Sequence, residues 1–202
     1  MRRVPLLIAS TVLLLTIAAT AQEGRSEISL QGTGFFTKDS TGNGILQRTT
    51  DTGGFLTGYR YRINRWLSAE GVYGYDRNTQ KYAVSSGAFR VQSNIHQATG
   101  GFVANLPFLA RSKFSPYVLA EGGALVFAPT GNPFAALTGS QTQARGAFVY
   151  GGGVNYPVLK HVSLRLEYRG LIYNAPDFGF IGLRTNSLTH TAQTSAGLVF
   201  RF

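Results

Sequence analysis

The chain has 202 residues, with 19 Lys and Arg against 9 Asp and Glu, 25 glycines, no cysteine, and only 14% charged residues. That length describes one domain, and the missing cysteine excludes a disulfide scaffold, a zinc-thiolate site and a cysteine nucleophile. A disordered basic protein is excluded as well, because 44% hydrophobic residues supply enough apolar surface to offset chain entropy.

Met1, Arg2 and Arg3 give a positive start, Leu6 to Ala19 carries no charge, and Ala19-Thr20-Ala21 places small residues where a signal peptidase cuts. Residues 1–21 therefore read as a secretory signal peptide and 22–202 as the mature domain. A retained anchor would need ~20 apolar residues, and this stretch is shorter and runs at once into Gln22-Glu23-Gly24-Arg25. No later segment is apolar for long enough to span as a helix, so entry into a membrane requires a closed sheet.

Along the mature chain, alternation of period two predicts eight strands, near residues 26–38, 51–63, 66–77, 94–106, 115–128, 144–156, 162–174 and 189–202. In the second, Phe55, Thr57, Tyr59 and Tyr61 oppose Gly58, Arg60 and Arg62; in the third, Leu67, Ala69, Gly71, Tyr73 and Tyr75 oppose Ser68, Glu70, Val72, Gly74 and Asp76. The fifth is less regular, since Glu121 shares its parity with Leu119, Leu125 and Phe127, and a bulge is expected there. The sixth sets Phe148, Tyr150, Val154 and Tyr156 against Arg145 and Gly153, and the seventh alternates without a fault from Val162 to Arg169.

Short links follow the second, fourth and sixth segments (Asn64-Arg65, Pro107 to Lys113, Pro157 to His161), whereas those after the first, third, fifth and seventh run to about a dozen polar residues. The expectation is an all-β, eight-stranded antiparallel up-and-down transmembrane barrel, with short turns on one side of the membrane and long loops on the other. A soluble, lipocalin-like barrel shows the same period but needs a well-charged outer face. Here the polar faces are mostly Gly, Ala, Ser, Thr and Asn, which suit a cramped interior, and tyrosines crowd the apolar faces near strand ends as membrane girdles do.

The final segment ends on Phe202, with Phe200 and Leu198 at alternating positions. This resembles the C-terminal signal that the barrel assembly machinery of Gram-negative bacteria recognises. With Pro116-Tyr117-Val118 opening a strand and Gly58-Tyr59-Arg60-Tyr61 before a short turn, the chain resembles the small eight-stranded barrels of the outer-membrane protein A and X family. The resemblance implies a cell outer membrane location, contact with outer-membrane lipid and lipopolysaccharide, and a monomer. It departs from the two-domain members because nothing follows Phe202, so no peptidoglycan-binding role is expected.

No catalytic set, metal site or cofactor is expected. Of the three histidines, His161 lies in a short turn on the end away from the lipid A leaflet, while neither His96 nor His190 stands in a His-x-Ser order, and these two fall on segments that stand opposite one another in an eight-membered ring. No His, Asp or Glu pair has ligand spacing. Gly42-Asn43-Gly44 and Gly151-Gly152-Gly153 are not phosphate loops, because neither opens a helix, and nucleic acid is no partner for an exported chain. Strand parity instead turns Arg60, Arg62, Glu70, Glu121, Arg145, Arg165, Glu167 and Arg169 mainly toward the lumen, where charges must pair or reach water. The expected pairs are Glu70 with Arg60 or Arg62, and Glu167 with Arg145. Arg77, Lys81 and Arg90 flank or occupy the second long loop and are candidates to meet surface anions. The leading function is a sealed structural or surface-interaction barrel; a narrow porin-like channel and a rim enzyme acting on lipid A are the alternatives, and the small interior of eight strands decides against a general porin.

Overall fold

The computed structural model describes residues 24–84, 87–107, 113–131 and 139–202. The expected signal peptide lies outside them. Strands run in chain order as β1 (Ser26–Thr37), β2 (Ser40–Gly42), β3 (Ile45–Thr49), β4 (Thr52–Arg62), β5 (Leu67–Val84), β6 (Gly87–Asn105), β7 (Ser115–Pro129), β8 (Gln143–Leu159), β9 (Val162–Asn174) and β10 (Leu188–Arg201). Eight of them close a ring in the order β1-β4-β5-β6-β7-β8-β9-β10, with every pair antiparallel. β10 returns to β1 in unbroken register from Glu27 opposite Arg201 to Thr37 opposite Thr191. Closure gives every strand of the ring two hydrogen-bonded neighbours.

The period of two explains which faces meet. In β9, Ser163, Arg165, Glu167 and Arg169 are buried in the lumen while Leu164, Leu166 and Tyr168 are exposed on the outside. Ile28, Leu30, Tyr59, Tyr73, Phe102, Phe148, Tyr150, Leu198 and Phe200 continue that apolar outer surface around the ring. Tight turns follow from local chemistry. Asn64 accepts hydrogen bonds through Oδ1 from the amides of Trp66 at 2.8 Å and Leu67 at 2.9 Å, an Asx turn that reverses the chain between β4 and β5. Lys160 and His161 alone join β8 to β9.

Three expectations change. The first long connection, Asp39 to Thr50, is not an open loop: Asn43 and Gly44, with φ of 51° and 73°, form the two-residue turn of a β2–β3 hairpin, and β3 extends the sheet beside β5. In the second, Arg77 to Val91, the described residues 77–84 and 87–91 are strand, because β5 and β6 stay paired from Leu67–Ala104 to Val84–Gly87. No bulge lies at Glu121, which stands in regular register opposite Gly101 and Val149. The shared parity of Glu121 with Leu119, Leu125 and Phe127 has another cause. All four point inward, because the long-loop half of the lumen is an apolar core that includes Phe35, Ile95, Leu125, Phe127, Val149 and Leu171.

Candidate functional site

The middle of the lumen holds a compact ion cluster. Arg60 grips Glu70 with two contacts, Nε to Oε1 at 3.2 Å and Nη2 to Oε2 at 3.1 Å. Arg165 reaches Oε1 of Glu70 at 3.3 Å and Oε2 of Glu27 at 3.2 Å, while its Nε donates to Asn155 Oδ1 at 2.9 Å. Arg169 donates to Glu167 at 2.6 Å, Glu121 at 2.8 Å and Glu70 at 3.3 Å. The guanidinium of Arg60 also lies 4.3 Å from the ring centre of Tyr117, a cation–π contact. The Tyr117 hydroxyl donates to Glu167 and that of Thr99 to Glu121. Charges so deeply buried are tolerated only because each is paired and hydrogen-bonded.

Glycine makes room for this cluster. A Cβ at Gly153 would sit 2.5 Å from the Tyr117 hydroxyl and 2.5 Å from the Leu166 carbonyl oxygen. The Gly151-Gly152-Gly153 run thus serves volume and not phosphate binding.

Of the eight lumen charges read from the sequence, the structure brings together Arg60, Glu70, Glu121, Arg165, Glu167 and Arg169. Arg62 lies at the edge and binds Glu27 at 3.1 Å, not Glu70. Arg145 is elsewhere: it binds Asp177 at 3.2 Å near the long-loop end, and Glu167 is held instead by Arg169, with Arg60 at 3.7 Å. Two members escaped the sequence reading. Glu27 and Arg201, paired at 2.8 Å, sit at the two chain ends that close the ring, where alternation has barely begun.

Below the cluster, at the short-turn end, a vestibule of about 540 Å³ is lined by residues including Arg25, Arg62, Arg65, Arg201, Glu27 and Asn155. It stops where Glu27 and Asn155 meet Arg165.

Above the cluster, the segment between β9 and β10 folds back into the barrel mouth. Phe178, with φ of 52°, is fully buried in the apolar core and meets Tyr82 edge-on with ring centres 6.5 Å apart. The Tyr82 hydroxyl donates to the Pro176 carbonyl at 2.7 Å. A left-handed conformation in a bulky residue is costly, and burial of the ring, worth about 1.5–3 kcal/mol, offsets it. Asp177 fastens this plug. It accepts from the Gln143 side chain, the Gly179 amide and Arg184, and pairs with Arg145, while Gln143 Oε1 accepts from the amides of Asp177 and Phe178 at 3.0 Å each. Burial pushes the Asp177 carboxyl upward, but the hydrogen bonds and the Arg145 charge outweigh it and hold the group below the ordinary carboxylate range.

Arg77, Lys81 and Arg90 are exposed on β5 and β6, on strands and not in a loop. His96 and His190 face outward and each meets a tyrosine hydroxyl, Tyr73 at 2.8 Å and Tyr150 at 3.0 Å. The terminal strand turns Leu198 and Phe200 outward, and Phe202 exchanges backbone hydrogen bonds with Ser26 at 3.0 and 3.1 Å.

Residues 7–202 match the family described as the outer membrane protein β-barrel domain. The chain belongs to this family. Among solved members of this architecture, OprG of Pseudomonas aeruginosa is 11% identical with a TM-score of 0.63, over 90% of this chain and 97% of that one. Neisserial surface protein A is 17% identical with a TM-score of 0.59, over 88% and 97%. Ail of Yersinia pestis is 17% identical with a TM-score of 0.51, over 90% and 100%. At these identities the likeness shows the fold alone. No curated protein matches the chain in sequence. Membership in an outer-membrane family gives the outer surface its meaning: the apolar ring formed by Leu30, Leu164, Leu166 and Leu198, with tyrosines toward its borders, is the face turned to lipid.

Proposed function

We propose that the protein is a sealed outer-membrane barrel with a structural or surface-interaction role. The observation that supports this reading is that side chains fill the lumen at two levels, the ion cluster centred on Glu70 and Arg169 and the buried Phe178 above it. In an eight-stranded ring there is room for side chains and little else. The short turns face the periplasm, and the β2–β3 hairpin, the β5–β6 extension and the plug face outward. Export uses the signal peptide at residues 1–21 in a Gram-negative-type envelope, and the barrel assembly machinery reads Leu198, Phe200 and Phe202.

The four arginines of the vestibule favour a second reading, a narrow channel that gathers anions at its periplasmic mouth. The separating experiment is solute entry into proteoliposomes. A sealed barrel leaves swelling in small sugars and chloride salts at the rate of empty liposomes, whereas chloride-selective swelling favours the channel. The lipid-modifying alternative draws no support from His96 and His190, each bonded to a tyrosine on opposite sides of the ring.

A further inference from the structure

The vestibule at the short-turn end has a composition that sealing does not require. Among the described residues that line it, four arginines, Arg25, Arg62, Arg65 and Arg201, face one carboxylate, Glu27. That carboxylate is already claimed by three guanidiniums. Arg62 and Arg201 both donate to its Oε1, at 3.1 and 2.8 Å, and Arg165 donates to its Oε2 at 3.2 Å. Two guanidiniums thus crowd a single oxygen, and among the described residues neither of them meets a second carboxylate. Arg25 and Arg65 are exposed and form the rim, where Arg65 is steadied over the Trp66 ring at 5.3 Å from its centre.

The neutral part of the lining leans the same way. Asn64 Oδ1 is filled by the amides of Trp66 and Leu67, and Asn155 Oδ1 already accepts from Arg165 Nε at 2.9 Å. What these two side chains still offer is chiefly the donor half of the amide. A pocket whose acceptors are largely engaged within the protein, and whose guanidiniums outnumber its carboxylate, is electropositive and rich in donors. Its volume of about 540 Å³ suits a whole small organic molecule better than a bare ion. Because it stops where Glu27 and Asn155 meet Arg165, it is a blind cup.

We propose that the vestibule binds a soluble phosphorylated small molecule of sugar-phosphate size, with the phosphate between Arg62 and Arg201 and the polar body reaching toward Arg25 and Arg65. A phosphate ester offers three acceptor oxygens and close to two negative charges, enough to engage two guanidiniums at once, and a planar guanidinium takes two oxygens of one phosphate. A single carboxylate offers only two oxygens, and Glu27 already plays that part. A phospholipid headgroup is the wrong source of the phosphate, because the cup lies inside the ring while acyl chains lie outside it. The inference rests on the sealed-barrel reading, with the short turns in the periplasm.

The test is calorimetric titration of the full mature chain, folded in neutral detergent micelles and checked by heat-modifiable migration, with glucose 6-phosphate at low salt. One site per chain is expected, binding glucose 6-phosphate about fivefold or more tighter than inorganic phosphate or succinate and ignoring glucose. Arg25→Gln with Arg65→Gln, at the exposed rim and outside the ion cluster, should weaken binding about fivefold or more and leave the urea midpoint where it is in wild type. Arg62→Gln with Arg201→Gln should abolish binding; if that pair is needed for folding, the rim variant still decides. Lys81→Gln, toward the long-loop end, should change nothing. Equal binding by wild type and the rim variant overturns the inference, and so does glucose 6-phosphate bound no tighter than phosphate or succinate. Displacement of glucose 6-phosphate by phosphatidylglycerol added to the micelles also overturns it, since a lipid headgroup would then be the occupant. Failure of the seal is read separately, as current through wild type in planar bilayers, whatever the titration gives.

Discussion

Glu70 is the residue on which the ion cluster turns, because among the described residues it alone pairs with all three of Arg60, Arg165 and Arg169. Its replacement by glutamine keeps the volume and removes the charge. Arg165 would still hold Glu27 at 3.2 Å, and Arg169 would still hold Glu167 and Glu121. Arg60 would be left with Glu167 alone, at 3.7 Å. A buried arginine stripped of its main partner costs about 3–5 kcal/mol. With a urea slope of about 2 kcal/mol per molar, the unfolding midpoint of Glu70→Gln should fall by about 1.5–2.5 M. The double variant Glu70→Gln with Arg60→Gln removes one charge of each sign and should recover most of that loss, giving a coupling energy of about 2 kcal/mol or more. The assay is equilibrium unfolding of refolded barrel in detergent, followed by Trp66 fluorescence and heat-modifiable migration. A single variant within about 0.5 kcal/mol of wild type, or a double variant equal to the sum of the singles, would refute the assignment of a tightly paired buried cluster.

Arg145→Gln and Glu167→Gln should be additive in stability, because these residues belong to separate networks; a strong coupling between them would show a contact that the geometry lacks. Gly153→Ala should cost about 1–3 kcal/mol through overpacking against Tyr117, seen as a lowered urea midpoint, and a neutral result would contradict the volume argument. The plug should respond to acid. Asp177 titrates below its ordinary value of about 3.9, so its contribution is complete above that ordinary value and is lost as pH falls through the lowered one. Hydrogen exchange at the Phe178 and Gly179 amides should therefore accelerate below about pH 4, whereas Asp177→Asn should show fast exchange already at neutral pH. Deleting Phe202 removes both backbone bonds to Ser26 and should leave the chain unassembled and degraded; a normal yield of folded protein would count against the assembly-signal reading.

The eight ring strands were legible because each must show one face to lipid and one to the lumen, which imposes the period of two on residues such as Val162 to Arg169. What alternation cannot give is height. Arg145 and Glu167 share inward parity, but Glu167 pairs with Gly153, and the eight residues from Gly153 to Arg145 span roughly 26 Å of β8. Parity alone therefore proposed a partner at the wrong level. The same limit hid Asp177, whose place is set by the Phe178 burial and not by any strand pattern. Asn43-Gly44 did carry a signal: this dipeptide is the strongest short-range mark of a two-residue hairpin, and reading it would have given the β2–β3 pairing. Glu121 shows the converse error, in which regular inward geometry looked like a bulge because an apolar lumen was not expected in a membrane barrel.

The sealed lumen is tested most directly by single-channel recording from the refolded wild-type barrel in planar bilayers. Closure by the ion cluster and the Phe178 plug predicts a current at the level of protein-free lipid, in Glu70-paired wild type and at any holding potential that the bilayer withstands. Steady, ion-selective conductance from wild-type protein, altered in selectivity by Glu167→Gln without loss of urea stability, would contradict it.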